Sequence, residues 1–195
     1  EMYASGHSEE LVGEAVRGSG KKREDIFITS KVLPSHLKYD EVLKACENSL
    51  RRLRMDYIDL YLIHWPQAGM KLEDSFRALN KLVRDGKVRY LGNSNFSGWE
   101  IADASWIART NGYAPFISAQ NQYSLLGRRA EQEVMPAVEH FGLGFFPYFP
   151  LASGMLTGKY RRGQAPPGGS RLSWIAGGDR MLSDRQFDMV ERLEE

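Results

Sequence analysis

Short apolar runs alternate with amphipathic segments along this chain, and that alternation limits its possible folds more than any other feature. Residues 26–30, 57–63, 88–91, 116–119 and 143–148 are rich in β-branched and aromatic residues and read as strands. Residues 8–17, 39–53, 72–84, 97–110, 129–141 and 183–195 space their apolar residues by three and four and read as helices. Ser8 is the expected N-cap of the first helix, and Gly86, Asn111-Gly112 and Gly142 are expected to close three others. Residues 152–182 form a long Gly/Pro-rich loop. Strands alternating with helices imply parallel pairing and right-handed crossovers.

Two architectures satisfy that order, an open doubly wound sheet and a (β/α)8 barrel. A doubly wound dinucleotide-binding sheet carries a Gly-rich turn after its first strand. No strand here runs into G-x-G-x-x-G. Polar residues close the strands instead, which suits a barrel whose upper rim is built from all its strands. A whole barrel takes about 250 residues, and this chain has 195. It begins Glu-Met-Tyr and stops inside a helical pattern. The expectation is therefore one domain over 1–195, a (β/α)8 barrel cut at both ends, with about five parallel strands.

The strand-closing residues are Lys31, His64, the pair Ser94-Asn95, Gln120 and Tyr148. Taken singly, each reads as a solvated rim residue or a packed histidine. At one βα repeat apart they would ring a single opening. Such a ring can support carbonyl reduction. Hydride transfer to a carbonyl leaves an alkoxide that needs a proton. A tyrosine, unperturbed near pKa 10, becomes a better donor beside a lysine cation. A histidine can hydrogen-bond the carbonyl oxygen and orient it.

Composition narrows the alternatives. A net charge of +1 gives no electrostatic reason to expect a nucleic-acid or acidic-membrane partner. No run approaches the roughly 18 apolar residues of a membrane span, and no secretory signal is visible. Cys46 is the only cysteine, so there is no internal disulfide and no cysteine-rich metal site. It lies on the apolar stripe of 39–53 and reads as core packing. A reducing, cytoplasmic location fits, and no metal is expected.

The segments that carry these residues resemble the aldo-keto reductase family. They are Glu1-Met-Tyr-Ala-Ser-Gly-His-Ser-Glu-Glu10, Ile28-Thr-Ser-Lys31, Tyr57-Ile-Asp-Leu-Tyr-Leu-Ile-His-Trp-Pro66, Leu91-Gly-Asn-Ser-Asn-Phe-Ser97, Gln120-Asn-Gln-Tyr-Ser-Leu-Leu126 and Pro150-Leu-Ala-Ser-Gly-Met-Leu-Thr-Gly-Lys-Tyr160. They run in family order over essentially the whole chain. The resemblance implies barrel strands three to seven and an NADP(H)-dependent oxidoreductase that reduces aldehydes or ketones to alcohols. It makes Tyr3 the general acid, Lys31 its pKa-lowering partner and His64 the carbonyl-orienting group. Ser94, Asn95 and Gln120 would bind the nicotinamide carboxamide, and Tyr148 would stack on the ring. Phe149, Pro150, Leu151, Ala152 and Ser153 would run along the cofactor. Lys159 and Arg171 would clasp its phosphates, and Trp65 would line the substrate pocket.

The chain also departs from the family pattern. The family's aspartate, five residues before the tyrosine, falls before residue 1. Phe149 stands where many relatives carry serine, and Asn93 replaces a small apolar residue. On this reading the 195 residues alone are poorly stable and inactive. Two other readings are a regulatory NADP(H)-binding subunit resembling potassium-channel β subunits, and a Schiff-base aldolase using Lys31. The second leaves the Tyr3 and Gln120 segments without a role.

Overall fold

The computed structural model describes residues 2–175 and 178–194. The chain divides into two compact units, Glu1–Gln120 with Glu133–Phe146, and Asn121–Gln132 with Pro147–Glu195. The first unit carries one five-stranded sheet: β1 (Thr29–Val32), β2 (Ile58–Ile63), β3 (Val88–Ser94), β4 (Phe116–Gln120) and β5 (Gly144–Phe145). All neighbouring pairs are parallel, and the strands lie side by side in chain order. A doubly wound sheet reverses its strand order at a switch point. This sheet never reverses, as expected of part of a singly wound barrel. β1 and β5 remain edges among the described residues, so the sheet is unclosed and the (β/α)8 fold incomplete.

Helices α1 (His7–Gly18), α2 (Tyr39–Leu53), α3 (Leu72–Arg84) and α4 (Gly98–Asn111) precede or link the first four strands, and α5 (Ala130–Phe141) runs between β4 and β5. β2 has a paired strand on each side, and all six of its residues are buried. Its apolar residues join Val42 and Cys46 of α2, Phe76, Leu79 and Leu82 of α3, and Ile101 and Ala104 of α4 in the core. Burial pushes the Cys46 thiol up to about 12, which fits the packing role. α1 approaches α2 closely because position 13 is glycine. A Cβ there would lie 2.3 Å from the Leu53 carbonyl oxygen.

The polar exception in β2 is Asp59, which is 2% exposed. Its carboxylate accepts from Arg23 Nη2 at 2.6 Å, Arg89 Nη1 at 3.1 Å and the Ile28 N–H at 2.9 Å. Both guanidinium groups also lie 4.0 Å from the Tyr57 ring centroid. A buried carboxylate is tolerable only with such partners.

The element order agrees with the sequence reading, but several boundaries move. The strand expected at 26–30 lies instead at Thr29–Val32, after a 3-10 turn at Arg23–Asp25. Arg23 takes the Ile26 carbonyl and Asp59 takes the Ile28 N–H, so of these residues' backbone groups it is the Ile28 carbonyl that meets β2, accepting from the Leu60 N–H at 3.0 Å. Lys31 thus sits inside β1 and does not close it. β3 runs three residues beyond Leu91, to Ser94. The strand expected over 143–148 is only Gly144–Phe145, although the Phe146 and Tyr148 N–H groups still donate to the Ala119 and Asn121 carbonyls at 2.9 and 3.0 Å. Ser8 does not cap α1; its N-cap is Gly6, with φ 94°. At α4 the N-cap is Ser97, whose N–H and hydroxyl both reach the Glu100 carboxylate.

The second unit has its own small core of Ala152, Met155, Tyr160, Leu172 and Phe187. The long loop over 152–182 contains 3-10 turns at Ala152–Thr157, Arg171–Ser173 and Gly178–Leu182, followed by α6 (Asp184–Glu194). Residue 195, the last of the expected 183–195 helix, lies outside the described residues, as do residues 176–177 within the loop.

Candidate active site

Strand register arranges the polar residues of the first unit in layers. Lys31, Leu62, Gly92 and Ser118 are partners across β1 to β4, so their side chains share one face. Two residues on, Ser94 pairs with Gln120. The His64 N–H donates to the Val32 carbonyl at 3.0 Å, which carries the ladder one step past β2. His64, Ser94 and Gln120 therefore form one layer, and Lys31 lies one layer below.

Tyr3 reaches this cluster from a 3-10 turn, Tyr3–Gly6, ahead of α1. Ala4, Ser5 and Gly6 all have positive φ, at 48°, 53° and 94°. Such a run of left-handed residues costs energy, and strain of this kind gathers at functional sites. The Tyr3 hydroxyl lies 3.3 Å from His64 Nε2. Lys31 Nζ lies 5.5 Å from the centroid of the Tyr3 ring. Trp65 stacks on the His64 ring at 3.7 Å between centroids. His64 is 4% exposed, Trp65 37% and Tyr3 53%, so the cluster opens to solvent on its aromatic side.

Burial lowers the Lys31 ammonium from its ordinary value. Burial, reinforced by the Lys31 charge, pushes His64 down to about 4. The imidazole is therefore neutral at neutral pH and carries a single N–H. It can offer that proton as a hydrogen-bond donor without being a cation.

The amide and hydroxyl group beside this cluster is tightly interlinked. Ser94 Oγ donates to the Gln120 carbonyl at 2.8 Å, and the Asn95 N–H donates to the same oxygen at 3.0 Å. Asn95 Nδ2 donates to the His64 carbonyl and to Ser94 Oγ, both at 3.0 Å. Asn95 has φ 62°, a region asparagine tolerates better than most residues. Neighbouring Asn93 is fully buried; its Nδ2 donates to the Ser118 carbonyl, and its Oδ1 has no partner.

The remaining candidates lie in the second unit. Tyr148 is bridged to Gln122, and its ring meets Phe149 edge-on at 5.3 Å. Phe149, Ala152, Ser153 and Gly154 have positive φ values of 56°, 47°, 56° and 97°. Between them, Pro150 offers no N–H and the Ala152 N–H returns to the Phe149 carbonyl at 2.8 Å. Lys159 folds over this turn. A Cβ on Gly154 would lie 2.7 Å from Lys159 Cε and 2.9 Å from Nζ, so the end of the lysine packs directly on this glycine. The Arg171 guanidinium lies 4.9 Å from the Phe149 ring centroid. The Ala152 and Gly154 N–H groups are taken by the Phe149 and Leu151 carbonyls, so what this turn offers an anionic group is chiefly its two cations.

A cavity of about 150 Å³ is lined by Tyr3, Glu9, Thr29, Ser30, Lys31 and Leu53 among others. A larger one, about 540 Å³, lies elsewhere in the first unit, against Pro34, Leu37, Lys38, Gln67, Met70 and Lys71. None of the catalytic candidates lines it, so its size does not make it the active site. Among the described residues no helix is long and apolar enough to cross a membrane, and no three His, Cys, Asp or Glu side chains are grouped to hold a metal ion. Sequence reading missed the Asp59 cluster and the carboxylate of Glu9. Glu9 stands beside Glu10 in the first turn of α1, and in sequence the buried acid looks the same as its exposed neighbour.

Comparison with known proteins agrees with this geometry. The model of the Aldo/keto reductase family matches residues 1–195. Mouse aflatoxin B1 aldehyde reductase member 2 is 36% identical over 163 residues, which is 82% of this chain and 44% of the relative. A probable voltage-gated potassium channel subunit beta from rice is 34% identical over 174 residues, 85% of this chain and 53% of the relative. Among solved structures, an aldo/keto reductase from Klebsiella pneumoniae in complex with NADP and acetate superposes with a TM-score of 0.71 at 37% identity, covering 79% of this chain and 52% of that one. A thermostable aldo-keto reductase bound to the inhibitor epalrestat superposes with a TM-score of 0.72 at 38% identity, covering 77% of this chain and 53% of that one. The chain spans about half the length of the relatives it matches. With its singly wound sheet and its Tyr–His–Lys cluster, the chain belongs to the aldo/keto reductase family.

Proposed function

We propose that the protein carrying this chain is an NADP(H)-dependent oxidoreductase that reduces aldehydes or ketones to alcohols. The observation that carries this reading is the Tyr3 hydroxyl at 3.3 Å from the neutral imidazole of His64, with Lys31 beneath the phenol ring. A phenol and an imidazole that close can share one acceptor, and a carbonyl oxygen between them would meet both. His64 donates a hydrogen bond and orients the oxygen. Tyr3 gives up its hydroxyl proton to the alkoxide, and the Lys31 charge stabilises the phenolate left behind. Trp65 forms a wall of the substrate pocket.

The bound nicotinamide supplies the hydride. The residues present suit such a cofactor. Ser94 and Gln120 share one layer and Asn95 follows Ser94, and their amide and hydroxyl groups would bind a carboxamide. Tyr148 offers an aromatic face for the ring. The turn of Phe149, Pro150, Leu151, Ala152 and Ser153 would run along the diphosphate, and Lys159 and Arg171 would supply the charge to hold it. The location proposed is cytoplasmic. The 195 residues alone, with two open sheet edges, are proposed to be poorly stable and inactive.

Replacing Tyr3 by phenylalanine tests the acid role. Carbonyl-dependent NADPH oxidation is expected to fall by about 10²–10⁴-fold, with cofactor affinity unchanged in a fluorescence titration. Equal loss of both would remove Tyr3 from the chemistry. The rice relative's name supports a second reading, a regulatory NADP(H)-binding subunit of a channel. A protein that binds NADPH but turns over no member of an aldehyde and ketone panel would favour that reading.

A further inference from the structure

Glu9 is a buried carboxylate to which the reading above gives no role. It lies in the first turn of α1, is 7% exposed, and uses both oxygens. Oε1 accepts from Ser30 Oγ at 2.5 Å, and Oε2 accepts from Arg52 Nε at 2.6 Å. Ser30 is the β1 residue next to Lys31. Arg52 comes from α2, and its side chain lies across Gly6. A Cβ at position 6 would be 2.7 Å from Arg52 Cδ and Nε. Gly6 ends the left-handed run that begins just after Tyr3. Burial alone would raise the Glu9 carboxyl, but hydrogen bonding from Ser30, Ser49 and Arg52 outweighs it and holds the group below its ordinary value. It is therefore an anion at neutral pH.

We propose that Glu9 and Arg52 are positioning residues, a buried ion pair that fixes the Tyr3 turn against the strand carrying Lys31. The carboxylate is bonded on one side to β1 through Ser30. On the other side it is bonded to the guanidinium that packs on the turn. Both carboxylate oxygens are engaged by Ser30 and Arg52, and Glu9 lines the same small cavity as Tyr3 and Lys31. An unsupported run of three left-handed residues would relax, and the phenol would move with it. The pair sets distance and angle between phenol and ammonium, which the proposed proton transfer depends on. This inference rests on that reading of Tyr3 and Lys31.

The test uses the full-length protein, Glu9→Gln, Arg52→Lys and Ser30→Ala, with two readouts. In steady state, Glu9→Gln is expected to lower kcat for aldehyde reduction by about 10²-fold, counted per molecule that binds NADPH, while KM and NADPH affinity stay nearly unchanged. Arg52→Lys is expected to keep part of the activity that Arg52→Met loses. Ser30→Ala removes one hydroxyl and leaves the ion pair, so it reports on β1 even if Glu9→Gln does not fold. The second readout needs no turnover. Amide hydrogen exchange over the Tyr3–Gly6 turn is expected to speed up in Glu9→Gln while exchange in α3 stays unchanged. Unchanged kcat per binding-competent molecule, or unchanged exchange in that turn, would overturn the proposal. An inactive wild type would sink the reductase reading alone, since the exchange measurement would still decide the positioning role.

Discussion

In the first unit Lys31, His64, Ser94 and Gln120 are carried by parallel strands, and ladder register decides which of them share a layer. In the second unit Phe149, Ala152 and Ser153 are carried by a turn of left-handed residues, and nearby cations are placed by local packing on Gly154 and Phe149. The first arrangement depends on contacts distant in sequence and on a buried core. The second depends on backbone conformation within a few residues and on a small core under the loop. Damage to the first unit should therefore spread through the whole sheet. Damage to the second should stay local.

The largest test of that contrast is Asp59→Ala. It strands Arg23 and the Ile28 N–H beneath the sheet, and loss of about 3–5 kcal/mol is expected, as for breaking a buried ion pair. Denaturant unfolding of the full-length protein measures it, and a loss under 1 kcal/mol would mean that the cluster does not anchor the register. A second test uses pH. His64 in the unfolded chain takes a proton near 6.5, whereas the folded group resists until about 4. Between those values the unfolded state binds more protons, so stability contributed by the neutral imidazole is present above 6.5 and lost as pH falls toward 4. Denaturation midpoints at pH 7 and pH 5 should separate in wild type and converge in His64→Gln.

Two smaller effects belong to the second unit. Tyr160 is buried there, and its hydroxyl accepts from the Leu172 N–H at 3.2 Å. Tyr160→Phe leaves that N–H without its partner, and about 1 kcal/mol is expected. Hydrogen exchange should show the loss confined to the loop, and a change across β2 would break the contrast. Arg162 is the smallest case. It pairs with Asp184, Asp188 and Glu191 of α6 on an exposed surface. Arg162→Ala should change the salt dependence of loop exchange and leave the global melting temperature where it was.

Much of the first unit was legible in the sequence. Helix α2 and helix α3 occur over the residues the periodicity marks, because their burial follows from local spacing alone. β1 was displaced because its ladder is set by where Asp59 and Arg23 bond, two residues that periodicity treats as surface charge. β5 is shorter than the apolar run that marks it, although the Phe146 N–H still donates to the Ala119 carbonyl. Lys31 and His64 read as equivalent strand ends, yet they lie in different layers. A register one residue out moves a side chain to the other face, and nothing within either strand fixes that register.

The sequence by itself determined the order of strands and helices, the barrel in preference to a doubly wound sheet, and the residue types able to do carbonyl chemistry. Those depend on spacing, on turn residues and on the missing glycine-rich turn, all of which are local. Only the tertiary structure decided that Tyr3 meets His64, that Asn95 holds the His64 carbonyl, and that Glu9 is buried between Ser30 and Arg52. Each of those contacts joins residues 21 to 61 positions apart. Chain entropy opposes such closures, and only burial of the shared core and the parallel ladder make them favourable.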